Sequence, residues 1–300
     1  MTTSNGLLLV DKPQGLTSHD VVARVRQILR EKKVGHAGTL DPMATGLLVL
    51  AVGPSTRLLR FAQSETKRYV GAVKFGVATD SLDADGAVVE ERPVPPLTSD
   101  VVDEAVTSMR GSQEQTPPMV SAIQIDGQRL HELARRGLEV DRPARNIHVS
   151  AFSLTPTEEH SVWRFDVECS VGTYVRVLLS DLAHRLGTIG HLVELRRLAS
   201  GPHSVADAWT LETLTDAVTK GTTVLAPPSA FVTGLEHVTL SEDATRAMRM
   251  GQRVTLEETY HTGEIAAMDP DGALVGILSR RHDSWKPELV LSTSDESTRG

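Results

Sequence analysis

One cysteine, Cys169, stands among 300 residues. That excludes an internal disulfide framework and any metal site built from cysteines alone. Set in the alternation Val167-Glu168-Cys169, it reads as a small core residue. Long apolar runs are missing too: the longest, Leu47 to Val52, falls far short of the about 20 residues a membrane-spanning helix needs. No basic stretch followed by an apolar segment opens the chain, so the expectation is a soluble, cytosolic protein without membrane association. Low-complexity tracts and internal repeats are also absent. With 40% hydrophobic and 23% charged residues, a folded core is expected.

Several catalytic signatures are lacking as well. No G-x-G-x-x-G follows a strand-like segment, which argues against a dinucleotide fold. Neither a G-x-S-x-G elbow nor a Walker loop occurs, so acyl transfer and nucleotide hydrolysis have no support. The 11 histidines include no H-E-x-x-H pair. Asp80, Asp83, Asp85 and Gly86 imitate a calcium loop. If Gly86 is its turn glycine, however, the twelfth position is Arg92, which cannot ligate a cation. A metal is not expected.

An overall excess of positive charge is missing: the chain carries −8. The distribution is uneven, though. Residues 1–76 hold 11 lysines and arginines against five acids, a local +6, and the remainder carries −14. Phosphate binding depends on local charge, so an RNA partner and ordinary solvated helix faces are both compatible with this pattern.

Periodicity places the elements. Leu7–Val10 reads as a buried strand ended by the turn Asp11-Lys12-Pro13-Gln14-Gly15. Thr17 and Asp20 then form a variant capping box before a helix with Val21, Val22, Val25, Ile28 and Leu29 on one face. The glycine-rich segment Val34–Gly46 predicts a loop leading into a strand at Leu47–Val52. Further strands are predicted at 67–75, 146–153 and 162–170, and helices after Thr98 and at 174–186. Residues 111–146 look like an excursion containing a short helix from Gln128 to Arg136. Ala226-Pro227-Pro228-Ser229 is the linker candidate. Beyond it come a helix at 241–250, a hairpin at 265–278 and a strand at 289–291.

Four side chains invite chemistry, each with a plainer alternative. Asp41 lies in the glycine-rich loop before a proline, as a functional carboxylate or as a turn cap. Tyr69 follows Lys67-Arg68 and either stacks on a base or packs in a core. Arg176, in Gly172-Thr173-Tyr174-Val175-Arg176, either pairs with a carboxylate or points to solvent. His36 either stacks or satisfies a loop carbonyl.

Taken in order, these segments resemble one family. Gly35-His36-Ala37-Gly38-Thr39-Leu40-Asp41-Pro42-Met43-Ala44-Thr45-Gly46 is similar to the signature loop of the bacterial tRNA pseudouridine(55) synthases, the TruB family. Leu9–Gly15 resembles its first motif and Lys67-Arg68-Tyr69 its second. Pro117–Ala122 with Gly127–Leu130 and Ala134–Gly137 resembles its RNA-clasping insertion. Gly172–Arg176 and Leu195-Arg196-Arg197-Leu198 resemble its later motifs, while Gly201-Pro202-His203 departs where relatives often place an aromatic residue.

The resemblance implies an α+β catalytic domain, a mixed, mostly antiparallel sheet with flanking helices, over residues 1–230, with the clasping insertion at 111–146. A small, mostly β, PUA-like RNA-binding domain would follow at 231–300. It implies isomerisation of a tRNA T-loop uridine to pseudouridine with no cofactor and no obligate protein partner. Asp41, Tyr69 and Arg176 would be catalytic. His36, Lys12, Tyr174, Arg129, Arg135 and Arg136 would meet the T-arm, with His36 filling the gap left by the flipped uridine. A guide-RNA-dependent synthase and a catalytically silent RNA-binding or RNA-folding protein are the rival readings.

Overall fold

Every residue from Leu47 to Val52 is fully buried, because the strand that carries them is covered on both faces. Leu48, Leu50 and Val52 join a cluster with Val21, Val22 and Val25, while Leu47, Val49 and Ala51 face Phe231, Ile277 and Leu289. A strand so enclosed reads as an unbroken apolar run rather than as an alternation. The computed structural model describes residues 4–63, 66–119, 124–125, 128–129, 140–256, 260–282 and 284–291.

Nine strands make the central sheet. Its main path runs β1 (Gly6–Lys12), β3 (Thr45–Val52), β8 (Gly190–Ser200), β4 (Lys67–Phe75), β7 (Val162–Cys169), β6 (Arg145–Pro156), β5 (Gly111–Gln115). Two further strands, β2 (Val34–Ala37) and His203–Ser204, pair off this path. Only β3 and β8 run parallel. The mixed, mostly antiparallel sheet that the resemblance implied is the one found.

β2 corrects the expectation of a continuous loop from Val34. Its residues pair with Val49–Val52 on the edge of β3 that β1 leaves free. Its glycine removes the alternating signal, but the strand edge still needs partners for its backbone groups.

Among the described residues, five helices flank the sheet. α1 (Ser18–Leu29) starts with the capping box of Thr17 and Asp20, and α2 (Leu59–Gln63) follows β3 after a 3-10 turn. α3 (Ser99–Ser108) is capped by Thr98. α4 (Val175–Arg185) buries Leu178, Leu179 and Leu182 in the largest core cluster, against Phe165 and Val167 of β7. α5 (Leu211–Thr219) packs beside α1 through Leu211 and Leu214.

The chain then enters a four-stranded sheet in the order β9 (Glu236–Thr239), β10 (Glu264–Met268), β11 (Leu274–Arg281), β12 (Ser284–Val290), with α6 (Glu242–Arg249) against it. β12 is longer than the predicted 289–291, because Pro287 on an edge strand is tolerated there. The linker is not loose: Ala226 and Leu7 exchange backbone hydrogen bonds of 2.8 and 2.9 Å.

In the excursion, Gln128–Arg129 pairs with Gln124–Ile125 as a strand rather than opening a helix. The two-residue spacing, with Asp-Gly between them in the sequence, is a hairpin signal. The rest of the predicted helix lies outside the described residues.

Candidate active site

The loop carrying Asp41 leaves the sheet where two strands meet end to end on one edge of β3. β2 occupies Val49–Val52 of that edge and β8 occupies Thr45–Gly46. Between these two pairings the chain bulges out and back. Leu40, Met43 and Ala44 are buried in the main core, which anchors the loop on both sides of Asp41.

Its backbone is tied from below. The Leu40 amide donates to Ser18 Oγ at 2.9 Å, the Gly15 amide to the Pro42 carbonyl at 2.8 Å, and the Ala44 amide closes a turn on the Asp41 carbonyl at 3.1 Å. Asp41 therefore sits on a rigid mount, with its side chain still 35% exposed.

Arg176, in the first turn of α4, reaches this carboxylate: Nε lies 3.3 Å from Asp41 Oδ2. Its Nη1 donates to the Ser81 carbonyl at 3.1 Å and pairs with Asp83 Oδ2 at 3.5 Å. Asp83 is buried, and its other carboxylate oxygen accepts from Ser81 Oγ and from the Asp85 amide. The false calcium loop of the sequence thus has a different use, since Asp83 buttresses the arginine that faces Asp41. Spacing alone did not reveal this. The useful signal was a run of acids lacking the remaining ligands of a metal site.

The charges pull on Asp41 in both directions. Desolvation raises its pKa, Arg176 opposes that, Asp83 and Asp85 add to the rise, and Lys12 lowers it. The net direction is upward.

Lys12 is fully buried. Its ammonium donates to the carbonyls of Leu16 at 2.6 Å, Pro13 at 3.0 Å and Pro42 at 3.3 Å. Burial depresses its pKa to about 8, partly offset by Asp41. The ammonium thus ties the turn after β1 to the Asp41 loop from beneath.

Tyr69 on β4 is only 7% exposed, and burial pushes its phenol pKa up. His36, near the end of β2, is half-buried and packs edge-to-face with His19 at 5.4 Å. Burial lowers its pKa to about 4, with the charges of His19 and Arg197 adding to the drop. The ring is therefore neutral at physiological pH. Its Nδ1 is buried with no hydrogen-bond partner among the described residues.

Tyr174 caps α4, and both its backbone groups bond to the Gln115 side chain, at 2.7 and 3.1 Å. That ties the start of the excursion to the helix carrying Arg176. Arg129 belongs to the short hairpin, while Arg135 and Arg136 lie outside the described residues. Arg197 of β8 belongs to the Leu195-Arg196-Arg197-Leu198 motif. It is 1% exposed, donating from Nε to the Leu47 carbonyl at 2.6 Å and from Nη2 to the Gly38 carbonyl at 3.1 Å. Among the described residues there is no cluster of three or more metal-ligating side chains, and no helix is long and apolar enough to cross a membrane.

Set against known proteins, residues 26–175 match the TruB family pseudouridylate synthase N-terminal domain. The chain belongs to the TruB family. Residues 176–233 match the tRNA pseudouridylate synthase B C-terminal domain, and 235–292 the C-terminal domain of tRNA pseudouridine synthase II. A tRNA pseudouridine synthase B of Arthrobacter sp. (strain FB24) is 39% identical over 97% of this chain and 98% of its own length. One from Opitutus terrae is 49% identical over 70% of this chain and 87% of that protein. Among solved structures, a chain of a Cbf5-Nop10-Gar1 complex is similar, with a TM-score of 0.75, 25% identity, and coverage of 97% of this chain and 86% of that one. The TruB family membership agrees with the α+β fold, a mostly antiparallel sheet with flanking helices.

Proposed function

We infer that this TruB-family chain isomerises a uridine of tRNA to pseudouridine, at the T-loop position its motifs imply. The observation that carries the reading is Asp41, held on an anchored loop and facing Arg176 at 3.3 Å at a partly exposed position. The catalytic unit is assigned to residues 1–230 and an RNA-binding unit to 231–300.

The reaction breaks the bond from ribose C1′ to base N1, turns the base, and joins C5 to C1′. The C5 proton leaves and N1 regains one, so substrate and product are isomers and no electrons are exchanged. A carboxylate able to trap the sugar or the base supplies the covalent logic used by retaining glycosidases. Asp41 takes that part, with Arg176 keeping it oriented and ionised. Tyr69 meets the target nucleotide and His36, neutral and packed edge-to-face on His19, fills the space the flipped base vacates. Arg129, Arg135 and Arg136 contact the T-arm backbone from the excursion, with Tyr174 at its root.

The test is tritium release from a T-arm hairpin labelled at uridine C5. Wild type releases tritium without a guide RNA. Asp41→Asn loses at least about 10⁴-fold in rate, the scale seen when a nucleophile is removed, while still binding the hairpin. Release only with an added guide would favour the Cbf5-like reading, and retained turnover in Asp41→Asn would remove this carboxylate from the mechanism.

A further inference from the structure

Arg197 is the largest of the fully buried side chains, and among the described residues no carboxylate stands within ion-pair distance of it. A buried charge satisfied only by carbonyls is costly, and an apolar side chain of similar volume would be cheaper to hold there. Its position suggests what the charge serves. On β8 its register partner across the sheet is Tyr69 of β4. Directly opposed residues of an antiparallel pair project from the same face, about 5 Å apart at Cβ. The guanidinium and the phenol therefore share one buried face, with the positive charge of Arg197 acting on the phenol. The same group holds Gly38 and Leu47, the two ends of the Asp41 loop. Gly38 lies in the left-handed region at φ 87°, and a Cβ there would stand 3.4 Å from Arg197 Nη1.

We propose that Arg197 is a positioning residue that occupies a lone pair of the Tyr69 oxygen, aims its hydroxyl proton at the substrate, and fixes Tyr69 relative to Asp41. The inference rests on the reading of Tyr69 as a substrate-facing group. A neutral residue of equal size could fill the volume, but it could not donate to the phenol and to both loop carbonyls at once. Burial raises the Tyr69 pKa, Arg197 pulls it back, and Cys169 and Asp41 add to the rise. The arginine is thus the charged neighbour that favours a more acidic phenol.

A double-mutant cycle separates this from a structural role. Under single turnover on the labelled hairpin, Arg197→Gln should slow release roughly 10- to 100-fold, the range for losing a charged hydrogen bond. Hairpin affinity should be unchanged, and Arg197→Lys should recover part of the rate. In a Tyr69→Phe background the same substitution should add little further loss. Equal losses in both backgrounds would overturn the proposal.

A second measurement needs no turnover. The chain has three tyrosines, so ¹³Cζ-tyrosine spectra assign Tyr69 by its absence from Tyr69→Phe. Arg197→Gln should move that resonance and leave those of Tyr174 and Tyr260 in place; an unmoved Tyr69 resonance would also overturn it. A wild type that releases no tritium would sink the functional reading instead, and the spectra would still decide the Arg197–Tyr69 contact.

Discussion

Asp41 is one-third exposed, and Arg176 pulls on its proton against Asp83 and Asp85, so the forces on it oppose each other. Burial wins and the pKa rises above the ordinary carboxylate value. A carboxylate that must be ionised to attack then works fully at high pH, and activity is lost as pH falls through this raised pKa. Replacing Arg176 with glutamine removes the main opposing charge, so the acid limb of the single-turnover rate should move to higher pH; a stationary limb would detach it from Asp41. His36 gives a prediction in stability instead. Its folded pKa of about 4 lies below the ordinary imidazole value of 6.5. The unfolded chain therefore binds the proton first, and the contribution is whole above pH 6.5 and lost as pH falls toward 4. It amounts to at most about 3 kcal/mol. His36→Asn should flatten the decline of denaturation midpoint across that window. The loop-borne Asp41 and the Arg176 motif were visible in the sequence because they form contiguous signatures. Asp83 and Arg197 were not, because their importance arises only where strands distant in the chain meet.

Strands and helices were legible wherever one pattern dominated a segment. The capping box at Thr17 and the Lys67–Phe75 strand were found at their predicted places, since a cap or an uninterrupted β-rich run needs no tertiary information. β2 and the short pairing of residues 124–125 with 128–129 were missed, because glycine and pairing distance hide strands that only the neighbouring edge calls for. The junction of β3 with β8 shows what such a glycine does. Gly46 has φ 98°, and a Cβ on it would stand 2.3 Å from the Arg197 carbonyl oxygen. The parallel pairing Arg197↔Gly46 leaves no room for any side chain. Gly46→Ala should therefore destabilise the fold by about 2 kcal/mol or more, from backbone strain and displaced strands together. It should also slow turnover beyond its effect on stability, since Arg197 must shift. Urea denaturation at a temperature where the variant remains folded, with rates measured alongside, separates the two effects. A stable, fully active variant would show that the junction yields easily.

Across the whole molecule the two sheets share a core rather than merely touching. Leu47, Val49 and Ala51 of β3 lie in one cluster with Phe231, Val232, Ile277, Leu289 and Leu291. Polar contacts border that seam: Arg57 Nη1 donates to the Val290 carbonyl at 2.6 Å, and Arg60 pairs with Glu264 at 2.6 Å. Magnitudes decide which of these holds the parts together. Arg60 is 48% exposed and Glu264 34%, so water and salt screen the pair and its worth is less than about 1 kcal/mol. Ile277 is fully buried, and truncating such a side chain costs about 2–5 kcal/mol. If the seam is part of one cooperative core, Ile277→Ala should lower the midpoint of a single denaturation transition, with probes in both sheets reporting the same curve. Trp163 on β7 and Trp285 on β12 offer such probes, one in each sheet. Arg60→Ala should leave the midpoint nearly unchanged. If Ile277→Ala instead split the transition, with Trp285 melting before Trp163, the C-terminal sheet would be a separately folding unit resting on the first. The Asp41 loop would then owe its rigidity to the central sheet, its core and α1, without help from the C-terminal sheet.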